Sequence, residues 1–348
     1  MKRNRLAAGL VAVVLRQLAD ALRAGLSLGD TLAILGKDTD LEKRHRQFIA
    51  HLAGHVASGG LLSQALAEYE LTFPPEAITL VRSGEDGGTL RSALDLVATD
   101  FELRRIHQVG VKGALAWPIT ILVVLAMMVG LIMIFVIPAF KDVFSAFGAD
   151  LPTPTLLVMG LSDLFVKYWY VLAALVVAAV VAFRSAGRRM ARIAAFDAAM
   201  MRIPFLRSHL IKTFVSRLSH ILAHALEGEL NVAAAVAYLR ATAGNLELAG
   251  LARELESQLA SGKDLVSAVR DTPRLPGQLA VAVELGAKAY DPVVALRQVV
   301  AFSEGEARRS LVRLQQALLV STYIATGIIV GGTVIALYLP IFRMGQAV

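Results

Sequence analysis

Two pairs of histidines are the first candidates for chemistry, because each pair places two imidazoles four residues apart. His51 and His55 form one pair, and His220 and His224 form the other. This spacing sets both rings on one face of a helix. A zinc-protease helix also needs a glutamate directly after the first histidine, where both pairs have an aliphatic residue. We therefore interpret the pairs as parts of a solvated or interfacial helix face and expect no metal site.

The most polar compact motif is Gly84-Glu-Asp-Gly-Gly-Thr-Leu90. Carboxylates beside a glycine turn suit oxygen-ligated cations, but the spacing lacks the alternating acids and terminal glutamate of an EF-hand. The alternative is a tight turn between helices, in which the glycines adopt positive φ and Thr89 caps the next helix. On the residues alone we favour the turn.

The sequence contains no phosphate-binding loop and no cysteine. A P-loop has Ser or Thr after its Gly-Lys pair and a glycine upstream, whereas the Gly-Lys pairs at Gly36 and Gly262 are each followed by aspartate. The absence of cysteine excludes disulfides, thiolate metal sites and cysteine nucleophiles. We therefore expect no catalytic residues and no cofactor, so that any energy for mechanical work comes from a partner.

Three long apolar stretches without a charged residue indicate an integral membrane protein. They are Ala114–Phe140, Tyr168–Phe183 and Leu314–Phe342, and about 20 apolar residues span a bilayer as a helix. The middle stretch reaches that length by including Leu164, with Lys167 extending to the interface. The mean hydropathy of +0.61 agrees with this assignment.

The positive charges are distributed unevenly and predict the orientation in the membrane. Segments 1–113 and 184–316 contain 14 and 18 Lys and Arg, whereas 139–166 contains only Lys141. The positive-inside rule places both basic segments in the cytoplasm, and the short loop and the C-terminus on the opposite side of the membrane. The net charge of +7 therefore predicts contact with lipid headgroups, and we expect no binding of nucleic acid.

Both basic segments have the leucine and alanine spacing of consecutive helices, and the second repeats the first at an offset of about 203 residues. Ala57-Ser-Gly59 corresponds to Ala260-Ser-Gly262, and Phe73-Pro74 to Leu275-Pro276. The residues after Leu6 predict one amphipathic helix on or near the membrane surface. We predict an all-α membrane protein with two homologous cytoplasmic helical bundles and three transmembrane helices. The predicted boundaries are 1–112 and 184–315 for the cytoplasmic domains, 113–138, 164–183 and 316–340 for the transmembrane helices, 139–163 for the periplasmic loop and 341–348 for the periplasmic tail.

Apart from Lys167 near the end of the middle one, the predicted spans contain no Asp, Glu, Lys, Arg or His, which ion carriers and pumps usually have. Gly327-x-x-x-Gly331 offers a surface for close helix packing. Hydroxyl groups nearby could form hydrogen bonds between helices; they belong to Ser321, Thr322, Tyr323 and Thr326. We favour helix association over a substrate path, although a transporter or channel subunit remains the alternative function.

Three motifs in order resemble a known family. Gly84-Glu-x-x-Gly-x-Leu90, with Phe73-Pro74 upstream, resembles the repeated signature of the type II secretion F / type IV pilus inner-membrane platform proteins. The segment from Ile137 to Thr155 looks like the family's stretch after the first span, and Ile335–Phe342 resembles its closing run. Gly286-Ala-Lys-Ala-Tyr-Asp291 departs from the signature in the second copy, which leaves the role of that turn open and favours a type IVb or plasmid-type pilus branch.

The resemblance implies a non-enzymatic platform in the bacterial inner membrane. Such a platform couples a hexameric cytoplasmic assembly ATPase to the insertion of pilin or pseudopilin subunits, and it works as a homo-oligomer with other inner-membrane assembly proteins. Whether the machine builds pili, secretes proteins or takes up DNA stays open. The site residues carried over or inferred are Gly84, Glu85, Gly88 and Leu90 for partner or inter-domain contact, Phe147, Gly148, Leu151, Pro152 and Thr155 for the periplasmic loop, and Gly327 and Gly331 for transmembrane packing.

Overall fold

The protein is described by a computed structural model over residues 6–37, 43–139, 201–275, 277–288 and 292–344, with five single positions between 160 and 170. All regular secondary structure in these ranges is helical. The all-α part of the predicted fold class is therefore confirmed.

The first repeat consists of five helices followed by a long sixth helix of 42 residues. Their bounds are α1 Ala8–Arg23, α2 Leu28–Leu35, α3 Lys43–Ala57, α4 Leu62–Ala67, α5 Pro75–Asp86 and α6 Leu90–Leu131, with a π-helical turn at Ile132–Val136. Proline occupies the first position of α5, where its missing N–H costs nothing, and Glu76 lies in the first turn near the positive end of the helix dipole.

The second repeat has the same order of six helices, and the last contains 53 residues. Their bounds are α7 Pro204–Glu227, α8 Val232–Thr242, α9 Leu246–Ala260, α10 Leu265–Asp271, α11 Gly277–Lys288 and α12 Pro292–Met344. α9 and α10 begin 203 residues after α3 and α4, and α11 and α12 begin 202 residues after α5 and α6. The internal repeat inferred from a few residues thus extends to the helix starts.

The chain divides into two compact units, of which the first combines Met1–Gly110 with Ala191–Leu311. Its apolar core is one continuous cluster with fully buried side chains from both repeats, such as Leu15, Leu94 and Leu222. The two predicted bundles therefore share one core. Several helices are very short, with 8 residues in α2, 6 in α4 and 7 in α10, and each buries more apolar surface in a common body than in a separate small bundle.

The first amphipathic helix, which we expect on or near the membrane surface, does not present its apolar face to lipid. Seven residues of α1 are buried, among them Val11, Leu15 and Leu18, which have no exposed surface. These side chains belong to the shared core of the first unit. The apolar face of α1 is therefore occupied by protein.

The second unit comprises Val111–Met190 and Val312–Val348. Two ranges in the described residues are long and apolar enough to cross a membrane, Ala116–Ala139 with mean hydropathy 3.1 and Val293–Ile335 with 1.9. Large apolar side chains on them are exposed, such as Phe135 at 66% and Ile328 at 70%, and such apolar surface requires lipid or a partner. The predicted span 164–183 lies almost wholly outside the described residues and stays a prediction.

Candidate functional site

A buried carboxylate in α6 joins the two repeats inside the first unit. Asp100 is 1% exposed, and its Oδ1 accepts from Nε of Arg217 on α7 at 2.8 Å. Its Oδ2 accepts from the hydroxyl of Tyr238 on α8 at 2.7 Å and lies 2.9 Å from Nε of Arg104. A buried charge is stable only with such partners. Asp100 therefore ties the first repeat to two helices of the second.

The partners of Asp100 are themselves fixed by further hydrogen bonds. Arg217 donates through Nη1 to the carbonyl of Thr242 at 3.0 Å and through Nη2 to the Thr242 hydroxyl at 2.7 Å. Arg104 donates to the Tyr238 hydroxyl at 3.1 Å and lies over the ring of Phe101 at 4.1 Å. We name the set Asp100, Arg104, Arg217, Tyr238 and Thr242 the buried bolt.

The electrostatics of the buried bolt follow from burial and close charge. Burial alone raises the pKa of Asp100, but the guanidinium groups of Arg217 and Arg104 outweigh it and hold that pKa below its ordinary value. Burial, and then the Asp100 carboxylate, raise the pKa of the Tyr238 hydroxyl. At neutral pH the carboxylate is thus ionised and the phenol is protonated, which is the pairing that the distances require.

Sequence reasoning missed the buried bolt, although its signal is in the sequence. Asp100 continues the buried stripe of Ala93, Leu96, Val97 and Leu103, where the helical spacing calls for an apolar residue. A carboxylate at such a position indicates a buried ionic partner. The identity of that partner depends on how α7 and α8 pack against α6, and helical periodicity does not predict this packing.

A second polar cluster lies at the contact of α1 with α6. Arg16 of α1 forms an ion pair with Asp95, donates to the Thr99 hydroxyl at 2.7 Å and pairs with Glu102 at 3.1 Å. His224 of α7 also approaches Asp95, with Nε2 at 3.5 Å from the carboxylate. Side chains of three helices therefore converge on one face of α6.

The histidine pairs have different partners within each pair. His51 Nε2 lies 3.1 Å from the Glu68 carboxylate, whereas His55 Nε2 lies 3.4 Å from the Gln64 amide oxygen. His220 Nε2 lies 2.7 Å from the Glu304 carboxylate. Across the described positions, no three His, Asp or Glu side chains are grouped as a metal site would require.

Two further histidines, His107 and His209, lie close to each other in the first unit. His209 Nδ1 and the Ser310 hydroxyl are 2.9 Å apart, and the rings of His209 and His107 have centroids 6.2 Å apart. Burial, with a smaller effect of neighbouring His209, lowers the pKa of His107 to about 4. Burial also lowers the pKa values of His209 and His220. The interior therefore favours neutral imidazoles.

The polar motif between α5 and α6 forms a tight turn. Gly84 is buried, and a Cβ there would meet the Cβ of Ala93 at 2.9 Å and the Cα of Leu90 at 3.1 Å, so that only glycine lets the two helices approach. Gly88 has φ +72°, whereas Gly87 has φ −96°. The predicted positive φ is therefore confirmed for Gly88 and wrong for Gly87, and the buried Gly84 acts by its small size.

The carboxylate of Glu85 reaches back to the start of α4. It accepts from the backbone N–H of Leu62 at 2.6 Å and from that of Ser63 at 3.3 Å. These are the first two residues of α4, and the preceding residue, Leu61, has no polar side chain to cap them. Glu85 thus supplies from α5 the acceptor that an N-cap residue normally provides.

The second repeat caps the matching helix in another way. Asp264 precedes α10, and its side chain accepts from the Ser267 N–H. Gly286 is buried like Gly84, but the next residue is Ala287, which has no carboxylate. The second signature lacks a glutamate equivalent to Glu85, and Asp264 caps the corresponding short helix in its place.

The hydroxyl groups of the last span bond within their own helix. Thr322 and Thr326 donate to carbonyls four residues earlier at 2.7 and 2.9 Å, and Ser321 donates three residues back at 2.9 Å. A Cβ built at Gly327 or Gly331 meets no described atom within 4 Å. No residue that the structure describes therefore covers the glycine surface of α12.

Comparison with known proteins gives matches along nearly the whole sequence. A family model described as "Type II secretion system (T2SS), protein F" matches residues 14–138. The type IV pilus assembly protein PilC of Pseudomonas aeruginosa is 25% identical over 339 residues, which cover 97% of this chain and 90% of that protein. Type II secretion system protein F of the same organism is 25% identical over 344 residues (97% and 83%), and PilC of Thermus thermophilus is 27% identical over 340 residues (96% and 82%).

The chain is therefore similar to the type II secretion F / type IV pilus platform family, through the family model over residues 14–138 and through relatives that match nearly its whole length. This family is generally non-enzymatic and is an inner-membrane component of pilus and secretion assembly machinery. The resemblance inferred from three motifs in order is therefore confirmed. The two candidate membrane helices agree with a membrane location.

The structure describes some of the platform family motifs and not others. The signature turn Gly84–Leu90 lies wholly in the first unit, and the glycines of α12 lie in the second. The loop residues expected near pilins lie outside the described residues; they are Phe147, Gly148, Leu151, Pro152 and Thr155. Their role remains a proposal.

Proposed function

We propose that this protein is the inner-membrane platform of a type IV pilus or type II secretion machine. In this role it couples a hexameric cytoplasmic assembly ATPase to the insertion of pilin or pseudopilin subunits into a growing filament. The observation that supports this most strongly is the similarity to pilus assembly and secretion proteins over 97% of the chain.

The connections between helices in the first unit suit the mechanical demand on such a platform. A platform moved by another protein must transmit force without deforming, and the buried bolt connects α6 of the first repeat with α7 and α8 of the second at distances of 2.8 and 2.7 Å. A second connection runs through Arg240 of α8, which pairs with Glu76 of α5 at 3.1 Å. α6 and α12 begin in this unit and continue into the two apolar ranges.

The signature turn is our candidate for contact with the ATPase or a neighbouring domain. Gly84 and Glu85 face inward and set the geometry of the turn, whereas Asp86, Gly87 and Gly88 are exposed. Leu90 is half-buried at the start of α6. A partner would therefore meet the exposed tip, and Glu85 would act by holding that tip against α4.

We further propose three spans with the N-terminus in the cytoplasm and the C-terminus in the periplasm. Gly327 and Gly331 would pack against a second copy, since nothing described approaches them in the single chain. The loop 139–163 would then face pilin subunits and other inner-membrane assembly proteins.

A deletion strain tests the proposed function. The strain should lose surface filaments or secretion and regain them with the intact gene, and the tagged protein should co-purify with the assembly ATPase of the same gene cluster. Normal filaments and secretion after deletion would refute the proposal. Solute flux through vesicles containing the purified protein would favour a transporter or channel subunit instead.

A further inference from the structure

A polar cleft of about 540 Å³ lies in the first unit where α1, α6, α7 and α12 meet. Three arginines line it, Arg23 of α1, Arg91 of α6 and Arg297 of α12, together with His220 and His224 of α7. Helices of both repeats thus bring cationic and basic side chains to one cleft. Its volume lies within the range of about 300–1,000 Å³ that is typical of small-molecule sites.

The positive charge in the cleft exceeds what its two carboxylates neutralise. Glu227 pairs with Arg297 at 2.5 Å. Asp95 is shared between Arg23 at 3.8 Å and Arg16, which binds it from outside the lining. Arg91 is exposed and has no hydrogen bond or ion pair with any residue that the structure describes. Arg23 also lies 4.0 Å from the Asp20 carboxylate. Among the described residues that line the cleft, Arg91 is therefore the arginine that can bind an anion without displacing a carboxylate.

The wall of the cleft is held by a close helix approach. A Cβ at Gly228, just after α7, would lie 2.3 Å from the Cβ of Ser92 in the first turn of α6. Glycine at this position therefore lets α6 contact the end of α7. The His224 ring is oriented as well, because its Nδ1 donates to the His220 carbonyl at 2.9 Å, which leaves Nε2 facing Asp95.

We propose that this cleft binds a phosphate-bearing small molecule of nucleotide size. Guanidinium groups donate two parallel hydrogen bonds to phosphate oxygens and keep their charge at every physiological pH. Arg91 binds the phosphates, and Arg23 and Arg297 join it by exchanging their carboxylate partners for phosphate oxygens. Bound there, the molecule links α6 with α7 and α12 and acts as a regulatory ligand.

Binding to the detergent-purified full chain tests the proposal, with ATP, pyrophosphate and inorganic phosphate as probes. We expect ATP or pyrophosphate to bind with micromolar affinity and to raise the melting temperature by about 2–4 °C. Arg91→Gln should weaken this binding at least about tenfold, because an exposed arginine without partners can be replaced without unfolding. Arg82→Gln, an equal charge change at an exposed position of α5 outside the cleft, should leave binding unchanged.

Several results would overturn the inference. Absence of binding by all three probes at millimolar concentration is one, and equal loss in the Arg91 and Arg82 variants is another, because it would indicate general charge attraction. Vesicles with anionic lipids form a separate arm: binding to them that depends on Arg91, without nucleotide binding, assigns the cleft to a lipid headgroup. Competition by an acidic peptide alone would assign it to a protein partner.

Discussion

At the scale of single residues, the first unit depends on a charge that water cannot reach. Asp100 has no alternative partners in solvent, so each of its contacts must be made by the protein. Removing one member of such a buried pair leaves the other uncompensated, which costs much more than losing a surface ion pair. The stability of the unit should therefore respond strongly to small changes in the buried bolt.

We expect Asp100→Asn to lower the free energy of unfolding by about 3–5 kcal/mol, because Arg217 and Arg104 lose their counter-charge. Tyr238→Phe removes one hydrogen bond and should cost about 1–2 kcal/mol. Thermal and denaturant unfolding of the purified protein measures both values. Asp86→Asn, at an exposed position in α5, is the control and should change stability little. An Asp100→Asn protein as stable as the parent would contradict the role of the bolt.

The buried histidines predict loss of stability in acid. Burial depresses the pKa of His107 from about 6.5 to about 4, so the folded state binds fewer protons than the unfolded state between these values. The part of the free energy of unfolding that comes from neutral His107 is fully present above pH 6.5. It is lost as the pH falls towards 4, and its upper bound is about 3 kcal/mol. His107→Gln should flatten the dependence of the melting temperature on pH in this window. An unchanged slope would show that other groups cause it.

At the scale of secondary structure elements, the two repeats use the same helices with different capping residues. α4 is capped from a distance by Glu85, and α10 is capped locally by Asp264. A short helix gains most from a cap, because its terminal N–H groups are a large share of its backbone. This comparison supplies a direct test of what Glu85 does.

We expect Glu85→Ala to remain folded and inserted, to lose about 1 kcal/mol of stability and to lose filament assembly. Adding Leu61→Asp provides α4 with the local cap that α10 already has, so stability should return. Assembly should stay impaired, because the turn is no longer held against α4. Unfolding curves and filament counts measure the two effects. If the double variant assembles filaments normally, Glu85 serves only as a cap.

The elements could be predicted from the sequence where the signal is local. The repeat offset of about 203 residues anticipated the starts of α9 and α10. The shared core and the partners of Asp100 could not be predicted, because they depend on how helices 117 and 138 residues away pack against α6. The distant cap by Glu85 was missed for the same reason.

At the scale of the whole molecule, the apolar surface of the two candidate membrane helices is left largely exposed by the residues that the structure describes. Two ranges present large apolar side chains outward, with only 17% and 11% of their most apolar windows buried. We propose that lipid covers most of this surface and that a second copy packs where small residues permit close approach. The glycine surface of α12 is the clearest of these places.

We expect Gly331→Leu to leave the fold of the single chain intact, because a side chain there meets no described atom within 4 Å. It should weaken self-association, since leucine prevents close helix contact. Light scattering and chemical cross-linking in detergent measure the oligomer. Gly332→Leu, one residue along and on a different helix face, is the matched control. Equal effects of both substitutions, or none, would argue against packing through Gly327 and Gly331.

The two capping arrangements have a consequence for how duplicated proteins diverge. Once one half of a duplication acquires an aspartate at the start of its own short helix, selection no longer has to retain the glutamate in the following turn. A search for ancestral copies by that glutamate alone would then overlook the half that changed. The relationships of such proteins are better traced by the order of their helices than by the residue identities in a single motif.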